Sequence, residues 1–171
     1  MSILPILEAP HPILSKKARP VREDEFGEDL DKLLSDMAET MYAAPGVGLA
    51  APQIGDGRRI VVVDPGNNED NEPRQLYCMV NPQIIDKNKG FINYEESCLS
   101  VPEFYIFVKR FKTIQLKWQD AKGKEYRQWF SEFPAIVIQH ELDHLKGITL
   151  LDHSSRFKRS RYISKRRKMK R

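Results

Sequence analysis

Three residues near the end of the chain have the types and spacing of a hydrolytic metal site. His140, Glu141 and His144 form an H-E-x-x-H pattern. Residues four apart share one face of an α-helix, so the two imidazoles can hold one metal ion while the carboxylate projects toward a water on that ion. The pattern also occurs by chance on ordinary amphipathic helices, so a metal site requires a third ligand from elsewhere in the chain.

The sequence around this pattern favours a helix that presents it on one face. Gly147 is a suitable residue to end such a helix, and Ser131 is a suitable cap for its start. The positions that recur at the helical spacing i, i+3, i+4, i+7 and i+11 are Phe133, Ile136, Val137, His140 and His144.

Four residues are candidates for the third ligand, namely His11, Cys98, Asp152 and His153. The metzincin peptidases need a histidine three residues after the glycine, where this chain has Leu150, and the thermolysin type needs an acidic residue further downstream, where none follows Asp152. Cys98 has the most suitable surroundings, because carboxylates and hydroxyls flank it. A thiolate with two imidazoles leaves one position open in a tetrahedral site for Zn²⁺ or Fe²⁺.

Charge divides the chain into an acidic body and a basic tail. The 171 residues are 40% hydrophobic, which is enough for one domain with a core. Residues 156–171 hold ten Lys/Arg and no acidic residue, whereas residues 1–155 hold 18 basic and 24 acidic residues. We expect one domain over 1–155 and a tail over 156–171 that becomes helical on a polyanion.

Cysteine usage and hydropathy indicate an intracellular protein. Cys78 and Cys98 form no C-x-x-C pair, which favours a reducing compartment, and Cys78 is interpreted as a small buried hydrophobe. We expect no secretory leader and no membrane span, since the first apolar run is interrupted by Pro5 and Glu8.

A glycine-rich run, residues 46–55, precedes the predicted strands. It either packs as a tight turn on the core or brings backbone close to an extended ligand, and Gln53 could donate a hydrogen bond into a site there. The remaining pattern predicts an extended arm over 3–22, a helix over 24–44, an exposed loop over 65–73, and strands over 58–64, 74–80, 105–119 and 124–130, the second of which ends at Asn81-Pro82.

Three separated segments resemble, in content and order, the signature motifs of peptide deformylase. They are G-V-G-L-A-A-P-Q at 46–53, E-S-C-L-S at 96–100 and Q-H-E-L-D-H at 139–144. The segment P-H-P-I-L at 10–14 and the hairpin before the helix extend the likeness to about residues 3–155. Ser97 stands where many members have glycine, and Tyr105 occupies a position that is often arginine.

The resemblance implies an α+β fold in which twisted antiparallel β-sheets surround a central metal-binding helix, with an N-terminal helix and a basic C-terminal helix. It implies removal of the N-formyl group from the initiator N-formylmethionine of nascent polypeptides, with release of formate. The metal would be one divalent ion held by Cys98, His140 and His144, typically Fe²⁺ in the cell, with Zn²⁺ or Ni²⁺ as substitutes.

The resemblance also assigns roles around that metal. Glu141 would be the general base, and the Gln53 amide with the Leu99 backbone N–H would stabilise the oxyanion. A pair between Glu96 and Arg110 would support the cysteine segment. Peptide binding would use the backbone of Val47 and Gly48 and an apolar pocket formed by Tyr94, Phe133, Ile136 and Val137.

The basic tail is either a solvated end of the chain or, as the resemblance implies, a segment that docks on ribosomal RNA in the bacterial cytoplasm. Three other hypotheses remain open. The chain could be a metallopeptidase or other zinc amidase, an RNA-binding protein with a structural metal, or an inactive member of the family.

Overall fold

The computed structural model describes residues 2–67 and 73–170. Its helices are α1 (Glu28–Ala43), α2 (Phe133–Leu145) and α3 (Arg156–Met169). Its strands are β1 (Gly48–Ala50), β2 (Ile60–Val63), β3 (Tyr77–Lys87), β4 (Phe91–Cys98), β5 (Val101–Phe111), β6 (Thr113–Gln119) and β7 (Glu125–Ser131).

The strands form two antiparallel sheets. One sheet has five strands in the order β1-β2-β3-β6-β7, and the other is the hairpin β4-β5. Neither sheet closes into a barrel over the described residues. The α+β prediction is therefore confirmed.

Helix α2 lies at the centre of the main core. Its apolar side chains pack against strands of the larger sheet, and the core they share includes Val61, Met79, Leu116, Ala135 and Ile138. Burial of one such side chain contributes about 1.5–3 kcal/mol. The helix ends as predicted, because Gly147 follows its last turn with a positive φ of 75° and lies against the backbone of Ser15.

The cap predicted for α2 is wrong. Ser131 is the last residue of β7, and its hydroxyl pairs with that of Thr113 at 3.0 Å. Glu132 holds the cap position with a φ of 61° and makes no side-chain capping bond. The chain therefore enters α2 through a residue with a positive φ.

Helix α1 packs its apolar stripe on the other side of the larger sheet. Leu30, Leu34, Met37 and Met41 are buried in a core that also includes Ile60. The helix predicted over 24–44 begins later, at Glu28, because residues 23–25 form a separate 3-10 turn. Residues 12–15 form a similar turn within the predicted extended arm.

Two strand predictions are corrected. The strand predicted over 74–80 continues to Lys87, because Asn81 forms a bulge with a φ of 52° instead of an end. The single strand predicted over 105–119 is β5 and β6, which belong to different sheets. Strand β4, which bears Cys98, was not predicted.

The loop predicted over 65–73 falls partly outside the described residues, at 68–72. Its described beginning is not exposed: Pro65 and Gly66 are buried, and the Asp64 carboxylate accepts hydrogen bonds from the Gly66 and Gln75 N–H groups. Among the described helices, none combines the length and apolar character that crossing a bilayer requires.

The basic tail is helical and forms α3. The Ser155 hydroxyl accepts from the Lys158 N–H, which caps the helix. Tyr162 and Ile163 pack on a small core, and the Tyr162 hydroxyl donates to the Pro102 carbonyl oxygen at 2.8 Å. These contacts hold the helix on the domain despite its charge.

Candidate active site

Two elements bring the metal-binding side chains together. Helix α2 supplies His140 and His144 from one face, and β4 supplies Cys98 at its last residue, where the chain turns into β5. One potential ligand atom from each residue lies within 4.8 Å of the others, and Cys98 Sγ is 3.3 Å from His144 Nε2. It is the one such group with metal-ligating geometry found in residues 2–67 and 73–170.

The other candidate ligands have different partners. His11 Nδ1 accepts from the Ile13 N–H, and Asp152 accepts from the Thr149 N–H and pairs with an arginine. His153 lies 2.9 Å from an Asp143 carboxylate oxygen. The structure therefore brings Cys98, and none of these three, to the two histidines.

The donor set fits a divalent metal. Among the described residues, the buried Oε2 of Glu141 has no hydrogen-bond partner, and this residue lines a cavity together with Cys98 and His140. A buried oxygen without a donor is costly, and a water held over the metal-binding atoms would satisfy it. One sulfur and two imidazoles, with room for water beside a carboxylate, are the donors of a catalytic zinc or iron site.

The acid–base state of the cluster follows from burial and mutual charge. Burial raises the pKa of Glu141 to about 7. Burial alone would also raise the pKa of the Cys98 thiol, but His144 and His140 outweigh it and hold that pKa well below its usual range. The thiolate form, which is the metal ligand, is therefore favoured.

A chain of charged groups orients His140. Its Nδ1 lies 2.9 Å from Glu96 Oε1, so that the carboxylate accepts the Nδ1 proton and leaves Nε2 available as a ligand. Arg110 donates to both Glu96 oxygens at 2.8 Å, which confirms the expected pair, and also to Asp143 at 2.7 Å. Asp143 in turn contacts His153. The ring of the metal ligand is thus fixed by a mostly buried network.

Gln53 is oriented by its own carbonyl oxygen. Its Oε1 accepts from the Ala50 N–H at 2.9 Å, so its Nε2 points toward the Cys98 segment. That nitrogen is 3.0 Å from the Ser100 hydroxyl oxygen and 3.7 Å from Cys98 Sγ. One amide N–H therefore faces the site while the other is held by Ser100.

The glycine-rich run lies directly beside the general-base candidate. A Cβ atom on Gly48 would come within 2.5 Å of Glu141 Oε1, and one on Gly46 would come within 3.0 Å of the Leu99 side chain. Gly48 is therefore needed for this close approach, whereas a side chain at Gly46 would require a shift of a few tenths of an ångström at Leu99.

A cavity of about 540 Å³ opens over these groups. Helix α2, the glycine-rich run and the β4-β5 turn form its walls. The predicted site residues on its walls are Val47, Gly48, Gln53, Tyr94, Cys98, Leu99, Phe133, Ile136, Val137, His140 and Glu141. The rings of Tyr94 and Phe133 are 5.7 Å apart, so they form one aromatic wall.

Sequence reasoning missed the partners that hold this site. Ser100 and Asp143 each fix a predicted residue, and Glu95 and Glu103 line the cavity mouth. Ser100 and Asp143 lie inside the recognised motifs, but motifs do not reveal which side chain each residue contacts. The alternation of side chains along β4 and β5 could have placed the two glutamates on one face, had β4 been predicted.

The family model for polypeptide deformylase matches residues 3–160 of the chain. The chain belongs to the polypeptide deformylase family. It is 42% identical to the peptide deformylase of Erythrobacter litoralis, over 99% of this chain and 98% of that protein. It is 45% identical to that of Desulfotalea psychrophila, over 98% of this chain and 97% of the relative. These matches cover nearly the whole of both chains, so the chain is an enzyme of this type.

Solved deformylase structures share the fold. The Ehrlichia chaffeensis enzyme in complex with actinonin superposes with a TM-score of 0.91 at 35% identity, covering 100% of this chain and 99% of that one. The Met-Ala-Ser-bound Acinetobacter baumannii enzyme gives a TM-score of 0.81 at 34% identity, covering 89% of this chain and 99% of that one. The deformylase prediction is confirmed at the level of family and fold.

Proposed function

We propose that the chain is a metal-dependent hydrolase that removes the N-formyl group from the initiator N-formylmethionine of nascent polypeptides and releases formate. The observation that carries this proposal is the convergence of Cys98, His140 and His144 beside the buried Glu141 carboxylate in a peptide-sized cavity. Family membership supports deformylation, and the cluster supports the metal dependence.

Cys98, His140 and His144 would hold one divalent ion, for which Fe²⁺ remains our expectation, with Zn²⁺ or Ni²⁺ as substitutes. When bound, such an ion lowers the pKa of water from ~16 toward about 7 and polarises a carbonyl group. The buried network around Glu96 and Arg110 keeps His140 in the orientation and tautomer that ligation needs.

Glu141 transfers the proton of the reaction. Its carboxylate accepts a proton from the attacking water and passes it to the departing methionine amine. Burial raises the pKa of this carboxylate above its usual range, which favours its acceptance of a proton from water. Proton transfer by this residue therefore links attack on the formyl carbon to cleavage of the C–N bond.

The oxyanion that develops on the formyl oxygen needs donors already in place. The Gln53 side-chain N–H that faces Cys98 is one, and we assign the Leu99 backbone N–H as the other. Ser100 and the Ala50 N–H hold the Gln53 amide, so little reorganisation is needed during the reaction.

The peptide would bind as an added strand. Strand β1 is at the edge of the five-stranded sheet, with β2 on one side only, and Val47 and Gly48 lie on the cavity wall beside its start. The methionine side chain would enter the apolar pocket formed by Tyr94, Phe133, Ile136 and Val137. The Met-Ala-Ser complex of the A. baumannii relative is consistent with a peptide of this kind.

Substrate comparison tests this function against the peptidase alternative. Formyl-Met-Ala-Ser should yield formate and Met-Ala-Ser, whereas Met-Ala-Ser and acetyl-Met-Ala-Ser should remain uncleaved when products are followed by mass spectrometry. Cleavage of internal peptide bonds would favour a peptidase. A folded, metal-loaded protein that acts on none of these peptides would support an inactive or purely RNA-binding protein.

The tail is proposed to dock on ribosomal RNA in the bacterial cytoplasm, as a segment separate from the catalytic domain over 1–155. Helix α3 exposes Arg161, Lys165 and Lys168, which follow the i, i+4, i+7 spacing of one helical face. These three basic side chains have no ion pair among the described residues. Replacing the three with glutamine should weaken co-sedimentation with ribosomes and flatten its salt dependence. Unchanged co-sedimentation would contradict this role.

A further inference from the structure

Where β3 passes into β4, basic residues are concentrated at the open end of the β4-β5 hairpin. Residues 87–91 and 109–112 hold five Lys/Arg and no acidic residue, although the body of the chain over 1–155 has more acidic than basic residues. Arg110 is buried with its two carboxylate partners, whereas the lysines of these segments are exposed. Positive charge is therefore concentrated at a second place besides the tail.

Two phenylalanine rings lie among these lysines. Phe91 and Phe111 are direct cross-strand partners, and their ring centroids are 5.1 Å apart. The Lys109 ammonium lies 4.3 Å from the centroid of the Phe91 ring, and the Lys87 ammonium lies 4.4 Å from that of Phe111. Lys89 is in the short connection between β3 and β4, two residues before Phe91. We call these five residues the lysine patch.

The ammonium groups of the lysine patch have no counter-charge. Within the described residues, none of its three lysines forms an ion pair, whereas the neighbouring Lys112 pairs with Glu132 at 3.4 Å. The adjacent acidic residue, Asp86, accepts a hydrogen bond from the Lys87 backbone N–H and makes no ion pair with a lysine of the patch. Three exposed positive charges are thus free to meet an anionic partner.

Lysines around an exposed ring are complementary to single-stranded nucleic acid. Such strands bind where positive charge follows the phosphates and aromatic rings stack on the bases. Phe91 is 51% exposed, so part of its ring remains free for stacking although Lys109 lies over it. An anionic membrane would also attract lysines, but insertion into lipid uses apolar side chains that project freely. Both rings here are instead held by each other and by lysines, which favours RNA.

The lysine patch is separate from both the cavity and helix α3. None of its residues lines the cavity. Helix α3 contacts the other end of β5, at Pro102 and Phe104. At the rise of an extended strand, that end is about 30 Å from Phe111. Two positive regions this far apart can contact one large polyanion at two places, which raises the overall affinity.

We propose that the lysine patch binds unpaired segments of RNA, as a second contact besides the one proposed for α3. The three ammonium groups lie against phosphates, and the Phe91 ring stacks on a base. Because phosphates and ring faces are common to all sequences, we expect little sequence preference. Binding at this surface does not depend on deformylation, so a protein that released no formate would still bind RNA here.

Salt-dependent binding of labelled polyuridine tests the patch, with fluorescence anisotropy of the full-length protein and an oligomer of about 20 nucleotides. Each phosphate contact adds about 0.7 to the slope of log K against log salt concentration for a single strand. Lys87→Gln/Lys89→Gln/Lys109→Gln should therefore reduce the slope by about two and weaken binding at low salt by about tenfold. Lys16→Gln/Lys17→Gln/Lys122→Gln removes the same charge from exposed lysines elsewhere and should keep the wild-type slope.

Two further comparisons separate the patch from α3 and from charge alone. In a protein that already carries Arg161→Gln/Lys165→Gln/Lys168→Gln, the patch substitutions should weaken polyuridine binding by a similar factor. Phe91→Ala should weaken polyuridine binding roughly fivefold or more, the loss expected for one stacked base, and leave binding of inorganic polyphosphate unchanged. Thermal unfolding checks that each variant is folded.

Three results would overturn the inference. No binding of polyuridine by the wild type at low salt would exclude an RNA site. Equal effects of the patch variant and the Lys16/Lys17/Lys122 control would show that only net charge matters. If the patch substitutions abolish binding to phosphatidylserine vesicles but leave polyuridine binding unchanged, the patch contacts an anionic membrane surface instead.

Discussion

The carboxylate of Glu141 lies against the backbone of Gly48 so closely that a Cβ atom there would come 2.5 Å from Oε1 and 2.9 Å from Cγ. Real Cβ atoms essentially never approach other heavy atoms so closely. The glycine-rich run and the H-E-x-x-H helix therefore fit together through these two residues. The position of the proposed general base depends on the absence of a side chain in another motif.

Gly48→Ala should consequently displace Glu141 or push the peptide-binding backbone away. A displacement of about 1 Å lowers turnover by roughly 100-fold in comparable cases, so we expect a decrease of that order in kcat with the metal retained. Gly57→Ala is the matched control, since a Cβ there meets open space at ordinary φ, and it should keep activity. Equal activity of both variants would contradict the contact.

Gln53→Ala removes the proposed oxyanion donor. The loss of one such donor lowers kcat by about 10²–10³-fold, while metal content should not change because Gln53 is not a ligand. Ser100→Ala leaves the amide in place but removes its hydroxyl partner, so its effect on kcat should be smaller. A Gln53→Ala variant with wild-type kcat would exclude this residue from the reaction.

The Glu96–Arg110 pair is mostly buried, with side-chain exposures of 4% and 6%. Glu96→Ala leaves the buried Arg110 with Asp143 as its remaining carboxylate partner, so it should lower the free energy of unfolding by up to about 3–5 kcal/mol. Loss of its bond to His140 should also weaken metal affinity by about 10–100-fold, measured by chelator competition. Glu132→Ala, which breaks the exposed pair with Lys112, should cost about 1 kcal/mol or less.

The two cysteines should differ in reactivity. Burial raises the pKa of Cys78 to about 11, so at pH 7 only ~1 molecule in 10⁴ carries that thiolate, and alkylation should accelerate as the pH rises toward 11. The pKa of Cys98 is held well below its usual range, so the metal-free protein should be alkylated there at neutral pH. Added Zn²⁺ should protect Cys98. Labelling of Cys78 first, read by peptide mass spectrometry, would contradict this assignment.

The metal-binding helix could be predicted because its apolar spacing and its motif agree. The same is true of α1, whose apolar stripe follows a helical period. Strand β4 could not be predicted, since Glu95, Glu96, Ser97 and Cys98 give it a polar end with weak strand propensity. The polar residues that build the site therefore prevent the sequence pattern from predicting the strand that positions them.

Other errors came from tertiary contacts that overrule local signals. Asn81-Pro82 is typical of a strand end, but β3 continues because the Asn81 side chain is held on both sides, accepting from the Val21 N–H and donating to Gln119. Likewise, Ser131 is a good cap by type but stays in β7, opposite Thr113. No local pattern could reveal these distant partners.

The most direct test measures formate release from formyl-Met-Ala-Ser by anaerobically prepared, Fe²⁺-loaded protein beside Glu141→Gln. The glutamine keeps the size of the side chain but cannot accept the proton, so we predict rapid release by the wild type, at least about 100-fold less by the variant, and equal metal content in both. Wild-type release that the variant retains would contradict the role of Glu141, and no release by folded, metal-loaded wild type would contradict the proposed function itself.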